Sequence, residues 1–219
     1  MKLAVLAEQN FNLIDGSSIW LLNLCKLLSL QDDLQVTLLL SHALDNRVLA
    51  GELPPAICIV QPEKVSPIYR PNQNLTADTV ADALIALEAR EGQFDRILVR
   101  GAAYQTALLA VDALASRVVC YATDIRPNLS AAEPAWLAAA RATRRPLLVQ
   151  SLTAKRVLES LCDYPAHLIH VVPPVAFAPP DPMPDTPRAT LCYSGKIDPD
   201  YGLNWLVDLC DSVKDLPKI

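Results

Sequence analysis

Lys2-Leu-Ala-Val-Leu-Ala7, a polar break, and then Asp15-Gly-Ser-Ser-Ile-Trp-Leu-Leu-Asn-Leu-Cys-Lys-Leu-Leu-Ser-Leu30 decide the fold. The first stretch is apolar at every position from Leu3 to Ala7. A run so short, with no alternation, fits a strand whose two faces are both covered. The second stretch is longer, opens on Asp and Ser, the residue types that cap helices, and predicts a helix over Ser17–Leu30. A third apolar run, Gln35–Leu40, completes a strand-helix-strand unit.

The same alternation continues along the chain. Further strands are expected at Ala56–Val60, Arg96–Val99, Arg117–Tyr121, Leu147–Gln150 and Leu168–Val172. Helices are expected at Thr76–Arg90, Tyr104–Leu114, Ala131–Thr143 and Leu152–Leu161. Val80, Leu84 and Leu87 recur at helical spacing, and Ser130-Ala-Ala-Glu133 has the form of a capping box. Gln61–Leu75 is aperiodic and reads as an irregular loop. Strands alternating with helices specify an α/β domain built on an open, doubly wound parallel sheet.

From Pro173 to Pro187 seven of fifteen residues are proline. Each fixes φ and removes a backbone donor, so neither a helix nor a central strand is compatible with that density. The reading is a domain over residues 1–175, a stiff linker over 176–188, and a fresh strand-loop-helix start over 189–219. One strand and one helix cannot cover their own faces. The second unit is therefore expected to be the incomplete beginning of a second domain.

Composition narrows the function classes. Hydrophobic residues are 52% and charged residues 20%, which supports a packed core. A net charge of -5 speaks against a general nucleic-acid binder. Glu8, Asn10 and Asn12 interrupt the first apolar run too early for a secretory leader, and no run approaches the length of a membrane span. The six cysteines are scattered without a CxxC, so a reduced cytoplasmic chain without a zinc or other metal site is expected. With glycine at only 16, 51, 92, 101, 195 and 202, neither the dinucleotide fingerprint nor a Walker loop can be written.

In a doubly wound sheet, ligands bind at the carboxyl ends of the strands. That rule selects Glu8 to Gly16, Arg100-Gly101 and Thr123-Asp124, among others. Asp15-Gly16-Ser17-Ser18 leads into a helix, where free N–H groups and the helix dipole receive an anion such as phosphate. An ordinary N-cap is the other reading of those residues. Gly195-Lys196 ends a strand with a flexible turn and a cation, suited to a diphosphate or simply solvated. Arg141, Arg144 and Arg145, with Lys155 and Arg156, form a basic set. It suits either an anionic membrane surface or the carboxyl end of a helix dipole. Trp20, Trp136 and Trp205 fall within helical patterns and are expected in cores.

Taken in order, these elements resemble the retaining, nucleotide-sugar-dependent glycosyltransferases of the GT-B fold, in the large group 1 (family 4-like) class. Asp15-Gly16 stands where that family carries Gly-Gly. Val171-Val-Pro-Pro-Val-Ala-Phe177 is similar to the turn closing its first domain. Gly195-Lys196-Ile197 and Gly202 are similar to the Gly-Arg-Leu-x-x-x-Lys-Gly opening of its second. The family's Arg and Lys on the donor diphosphate correspond here to Lys196 and Tyr201.

The resemblance implies a Rossmann-like acceptor domain and a truncated donor domain. The implied activity is metal-independent transfer of a sugar, of hexosyl type, from a nucleotide diphosphate to an acceptor hydroxyl with retention, with no cofactor beyond the donor substrate. Asp15, Gly16, Ser17, Gly195 and Lys196 are the implied donor contacts. Glu8, Arg100, Thr123 and Asp124 are the acceptor candidates, and no catalytic residue is assigned. Acceptors of carbohydrate, lipid-linked or small-molecule type all fit, the lipid-linked class with docking at the inner face of a membrane. Residues 1–219 alone are expected to be inactive. The competing reading is a non-catalytic, transferase-like binding module or partner subunit, favoured by Tyr201, Thr123 and Asp15 in place of family residues.

Overall fold

In the computed structural model the described residues are 1–65, 74–123, 125 and 133–174. The expected linker and second unit, with Gly195, Lys196, Tyr201 and Trp205, lie outside them, as does Asp124. The elements run β1 (Lys2–Ala7), α1 (Gly16–Leu28), β2 (Gln35–Leu39), α2 (Val48–Gly51), β3 (Ile57–Val60), α3 (Ala77–Glu91), β4 (Arg96–Arg100), α4 (Ala102–Leu109), α5 (Asp112–Ala115), β5 (Val118–Ala122), α6 (Ala135–Ala142), β6 (Leu147–Val149), α7 (Leu152–Leu161) and β7 (Ile169–Val171). They form a seven-stranded sheet of order β3-β2-β1-β4-β5-β6-β7. Every adjacent pair is parallel. The expected fold class, an α/β doubly wound parallel sheet, is what the chain adopts.

Strand parity explains the unbroken apolar runs. Leu3, Val5 and Ala7 of β1 enter one core with Trp20, Leu21, Leu24 and Cys25 of α1. Ala4 and Leu6 enter the opposite core with Leu84 and Leu87 of α3, Leu108 of α4 and Leu137 of α6. Because a strand's side chains alternate, a strand between two helical layers needs apolar residues at consecutive positions. Ala4, Leu38, Leu84, Leu87, Ile97, Leu108 and Leu137 are completely buried. Each such Leu or Ile contributes about 1.5–3 kcal/mol relative to exposure.

All seven expected strands are present, with ends moved by a residue or two. The helices differ more. The stretch expected as one helix over Tyr104–Leu114 is two, because Val111 takes an extended conformation (φ -104°, ψ 107°) and Asp112 opens a new first turn. Glu133 does not sit in the first turn of a helix. That helix starts at Ala135, and Glu133 instead accepts from Arg141 at 2.7 Å. Within the expected loop Gln61–Leu75, Pro62–Lys64 makes a 3-10 turn. Helix α2 is too short to leave a periodic signal. Trp20 and Trp136 are buried, as expected.

A nearly buried ion pair joins α3 to the entry of β5. Arg117 donates from Nη1 and Nη2 to the Glu88 carboxylate, and from the same two nitrogens to Phe94 O (2.9 Å) and Ala113 O (2.8 Å). Glu88 also accepts from the Phe94 N–H at 2.9 Å. Both side chains are only about a tenth exposed (11% and 13%), so removing one strands the other's charge. Glu88→Ala is expected to lower stability in urea unfolding by about 3 kcal/mol. Glu91→Ala, which breaks the half-exposed pair with Arg90, should cost less than about 1 kcal/mol.

Among the described residues four cysteines are free, and only Cys58 is exposed. Burial pushes the thiols of Cys25 and Cys120 up to about 12, so at pH 8 both stay protonated. Among these four, Ellman's reagent should modify Cys58 first, with Cys25 and Cys120 reacting only on unfolding.

Candidate functional site

Helical crossovers change sides between β1 and β4, so the topological switch point lies at the carboxyl ends of those two strands. The chain continues the ladder there by one bond, from Glu8 N–H to Arg100 O at 3.2 Å. Immediately after β4, Gly101 adopts φ +115°, and a Cβ built on it would stand 2.4 Å from Glu8 Cδ. Glycine is therefore required twice, by conformation and by space. The space it leaves lets Glu8 Oε1 accept from the Tyr104 N–H at 2.8 Å, in the first turn of α4. Glu8 thus caps a helix with one carboxylate oxygen, satisfying an amide that has no partner within the helix.

Arg100, the last residue of β4, points to the other side of the sheet. It is 8% exposed. Its guanidinium lies over the Trp20 ring at 4.5 Å. It also donates to Ser17 O at 3.2 Å and Ser17 Oγ at 3.1 Å. Trp20 packs on Tyr121 with ring centroids 4.5 Å apart, and its Nε1–H donates to the Tyr121 hydroxyl at 3.1 Å. That hydroxyl donates in turn to Val172 O at 2.9 Å. Burial raises the Tyr121 phenol above its ordinary range, against the opposing pull of Trp20, Gln150 and the Arg100 charge. Arg100, Trp20 and Tyr121 are a structural stack that ties α1 to β4, β5 and the end of β7.

Asp15 resolves the two readings of the helix start geometrically. Its Oδ1 accepts from the N–H groups of Ser17 (2.9 Å) and Ser18 (2.8 Å). Two amides suited to an outside anion are thus held by an internal carboxylate, as in an ordinary N-cap. Gly16 has open space where a Cβ would project, so close packing does not explain this glycine.

A cleft of about 370 Å³ opens at the switch point. Glu8, Gln9, Gln105, Thr123, Tyr121 and Trp136 are among its walls. Gln105 is fixed by donating to Val99 O and Tyr121 O, both at 3.0 Å. Gln9 Oε1 is buried and has no hydrogen-bond partner among the described residues. Among the described residues no lysine or arginine lines the cleft. The expected acceptor residues Glu8 and Thr123 therefore come together, Arg100 stands outside, and Gln9, Gln105 and Trp136 join them. The last three gave no sequence signal beyond their nearness to strand ends or to a helical apolar pattern.

Of the basic set, Arg141 pairs with Glu133. Arg145 donates to Thr143 O and Ser116 O, and Lys155 to Ala166 O and Ile169 O. Those three are spent on internal carbonyls and carboxylates. Among the described residues no helix is long and apolar enough to cross a membrane, and no cluster of three or more His, Cys, Asp or Glu is placed to hold a metal.

Replacing Gly101 by Ala should displace Glu8, uncap α4 and strain the backbone. The expected loss in urea unfolding is about 1–3 kcal/mol. A Gly16→Ala control should change stability little, since nothing opposes its Cβ.

No family model and no curated protein matches the chain. Solved structures do. UGT2 of Phytolacca americana, in complex with UDP-2-fluoro-glucose and pterostilbene, aligns with TM-score 0.51 at 13% identity over 78% of this chain and 53% of its own. Alr3699/HepE of Anabaena, in complex with UDP and glucose, aligns with TM-score 0.49 at 12% identity over 80% of this chain and 44% of its own. The chain spans about half the length of these structures. At such identity the likeness speaks for fold alone, and the described domain has the fold of a Rossmann-like half of the GT-B type.

Proposed function

We propose that this chain is part of a nucleotide-sugar-dependent glycosyltransferase, and that the described domain holds the acceptor in the cleft between Glu8 and Thr123. The observation that carries this reading is the cleft's position and chemistry together. It sits at the switch point of the sheet, and its walls combine the Glu8 carboxylate and the buried Gln9 side-chain Oε1, unpaired among the described residues, with Tyr121 and Trp136. Hydrogen-bond acceptors beside aromatic walls suit a neutral, hydroxyl-bearing acceptor. The described lining residues include no cation, which favours a neutral acceptor over an anionic one. The binding of UDP-2-fluoro-glucose and pterostilbene by UGT2 is consistent with that pairing of donor and acceptor classes.

Glu8 is the residue with most to offer. Oε1 is committed to α4, while Oε2 has no hydrogen bond among the described residues and can accept from an acceptor hydroxyl. On the donor side, Gly195 and Lys196 remain the proposed diphosphate contacts. Gly16 and Ser17 take a lesser part, since Asp15 already occupies the neighbouring amides. Retention, independence of metal and of any cofactor, and inactivity of residues 1–219 alone belong to the same proposal. A non-catalytic module is the second reading, and the Asp15 cap is the observation in its favour.

The test is product analysis by mass spectrometry on the protein at its natural length, with UDP-, GDP- and ADP-sugars and a panel of neutral acceptors. One donor base should yield a glycosylated product. Glu8→Gln, which keeps an oxygen for Tyr104, should lower kcat/KM for the acceptor by about 10- to 100-fold, the loss of one hydrogen bond to a charged group. Absence of product with every donor would favour the non-catalytic module.

A further inference from the structure

A second cleft, of about 270 Å³, lies between the loops that follow β1 and β2 and is lined by Asn10, Asn12, His42, Ala43, Asp45 and Asn74. The two loops are fastened to one another chiefly by Asn12, with Asn46 Nδ2 donating to Asn12 O (3.1 Å) and Ser41 Oγ to Gln9 O (2.7 Å) beside it. Asn12 Nδ2 donates to Ala43 O (2.8 Å) and Asn10 Oδ1 (2.8 Å). Its Oδ1 accepts from the N–H groups of Asp45 (2.8 Å) and Asn46 (2.9 Å). All the hydrogen-bonding capacity of the Asn12 amide is consumed in holding the walls apart at a fixed spacing.

The remaining lining groups are differently placed. Asn10 Oδ1 accepts twice from Asn12, which leaves its Nδ2 as a donor. The Asp45 and Asn74 side chains, both exposed, have no hydrogen bond among the described residues. The His42 tautomer follows from proton counting. Ser41 Oγ lies 2.7 Å from Gln9 O and 2.7 Å from His42 Nδ1, and Ser41 is 2% exposed. A carbonyl only accepts, so the single hydroxyl proton goes to Gln9 O. The Nδ1 must then bring its own hydrogen. In the neutral ring Nε2 carries the lone pair, and no residue of the described set bonds to it. Burial lowers the His42 pKa from its ordinary value, which keeps the ring neutral at pH 7.

We propose that this cleft is a binding site for vicinal hydroxyls of a neutral saccharide or polyol, with His42 Nε2 and Asp45 accepting from the hydroxyls and Asn10 and Asn74 donating to them. A sugar hydroxyl both donates and accepts, and this lining supplies both roles within one rigid frame. Among the described residues there is no lysine or arginine in it to hold a phosphate, and their one carboxylate and one imidazole are too few for a metal cage. The site stands whether or not the chain transfers sugars, because none of its lining is shared with the switch-point cleft.

His42 also makes the site pH-dependent. Among the described lining residues the ionisable side chains are those of His42 and Asp45. Protonating His42 turns Nε2 from an acceptor into a donor. Binding is therefore expected in full above the His42 pKa and lost as pH falls through it, with the reciprocal lowering of that pKa by bound saccharide.

The experiment is an NMR titration of the whole chain with maltose, following the His42 ring and the side-chain amides of Asn10 and Asn74, at pH 7.5 and pH 5.0. The expected result is a saturable shift at pH 7.5, weaker binding wherever the same spectra show the His42 ring protonated (the lower pH being extended below 5.0 until the ring titrates), and a lower His42 pKa under saturating maltose. Asn74→Ala changes an exposed side chain outside the Asn12 brace. It should leave the spectrum folded and weaken maltose binding severalfold. No saturable shift at pH 7.5, equal affinity with the His42 ring neutral and protonated, an unchanged His42 pKa, or saturation by inorganic phosphate or MnCl2 in place of maltose would each overturn the proposal.

Discussion

The carboxyl face of this sheet depends on how β1 and β4 exchange side chains with the helices on either side. β1 delivers residues 4 and 6, and by parity Glu8, toward the layer that holds α4; β4 delivers Leu98, and by parity Arg100, toward the layer that holds α1. Glu8 then caps α4 and Arg100 anchors the first turn of α1. Two neighbouring strand ends, joined by the bond from Glu8 N–H to Arg100 O, thus fix the starts of two helices on opposite faces. The interlock has one steric condition, that residue 101 has no Cβ. Because a polar group at a strand end must find a partner or remain in water, the exchange supplies four hydrogen bonds in a region with little solvent.

That arrangement decides what the charged residues near the switch point can do. Arg100 is desolvated on an aromatic ring, a geometry in which a cation is attracted most strongly when water is excluded. Its Nη1 and Nη2 are directed at Ser17 and so away from the cleft. Asp15 is tied to the helix that a phosphate would otherwise approach, and its negative charge repels one. Among the described residues Arg100 and the amides after Asp15 are used in assembly, while carboxylate and carboxamide oxygens face the cleft. The local field consequently suits ligands that donate hydrogen bonds better than it suits anions.

Much of this was legible in the sequence wherever the cause is local. Apolar runs of strand length, helical spacing of Val80, Leu84 and Leu87, and the absence of a dinucleotide fingerprint all rest on residues close in the chain, and the sheet follows from them. The N-cap reading of Asp15 was available for the same reason. Partnerships across the chain were not readable. Arg100 meets Ser17 at a separation of 83 residues and Glu8 meets Tyr104 at 96. A strand-end arginine with a polar neighbourhood looks identical in sequence whether it faces a ligand or a tryptophan. Glu133 was misplaced because a capping-box pattern competes with a long side chain eight residues on, Arg141, which claims its carboxylate. The split between α4 and α5 turns on the backbone of Val111, where weak propensities leave the outcome to packing.

Consecutive residues at the end of β1 serve different clefts. Gln9 lines the switch-point cleft and Asn10 the cleft beside His42. The Gln9 carbonyl, by holding Ser41, sets the tautomer of His42, so the backbone of one cleft's wall determines the acceptor in the other. Loops that must bind weakly interacting neutral ligands cannot rely on charge. Any freedom they retain is an entropy cost against each modest hydrogen bond. The Asn12 brace removes that freedom before a ligand arrives, at the expense of a carboxamide no longer able to bind one itself. A loop under selection only to connect β1 with α1 has no need of such a brace to a second loop more than thirty residues away. The physical logic of the Asn12 clamp is preorganisation of the walls for a ligand that offers hydroxyls and no charge.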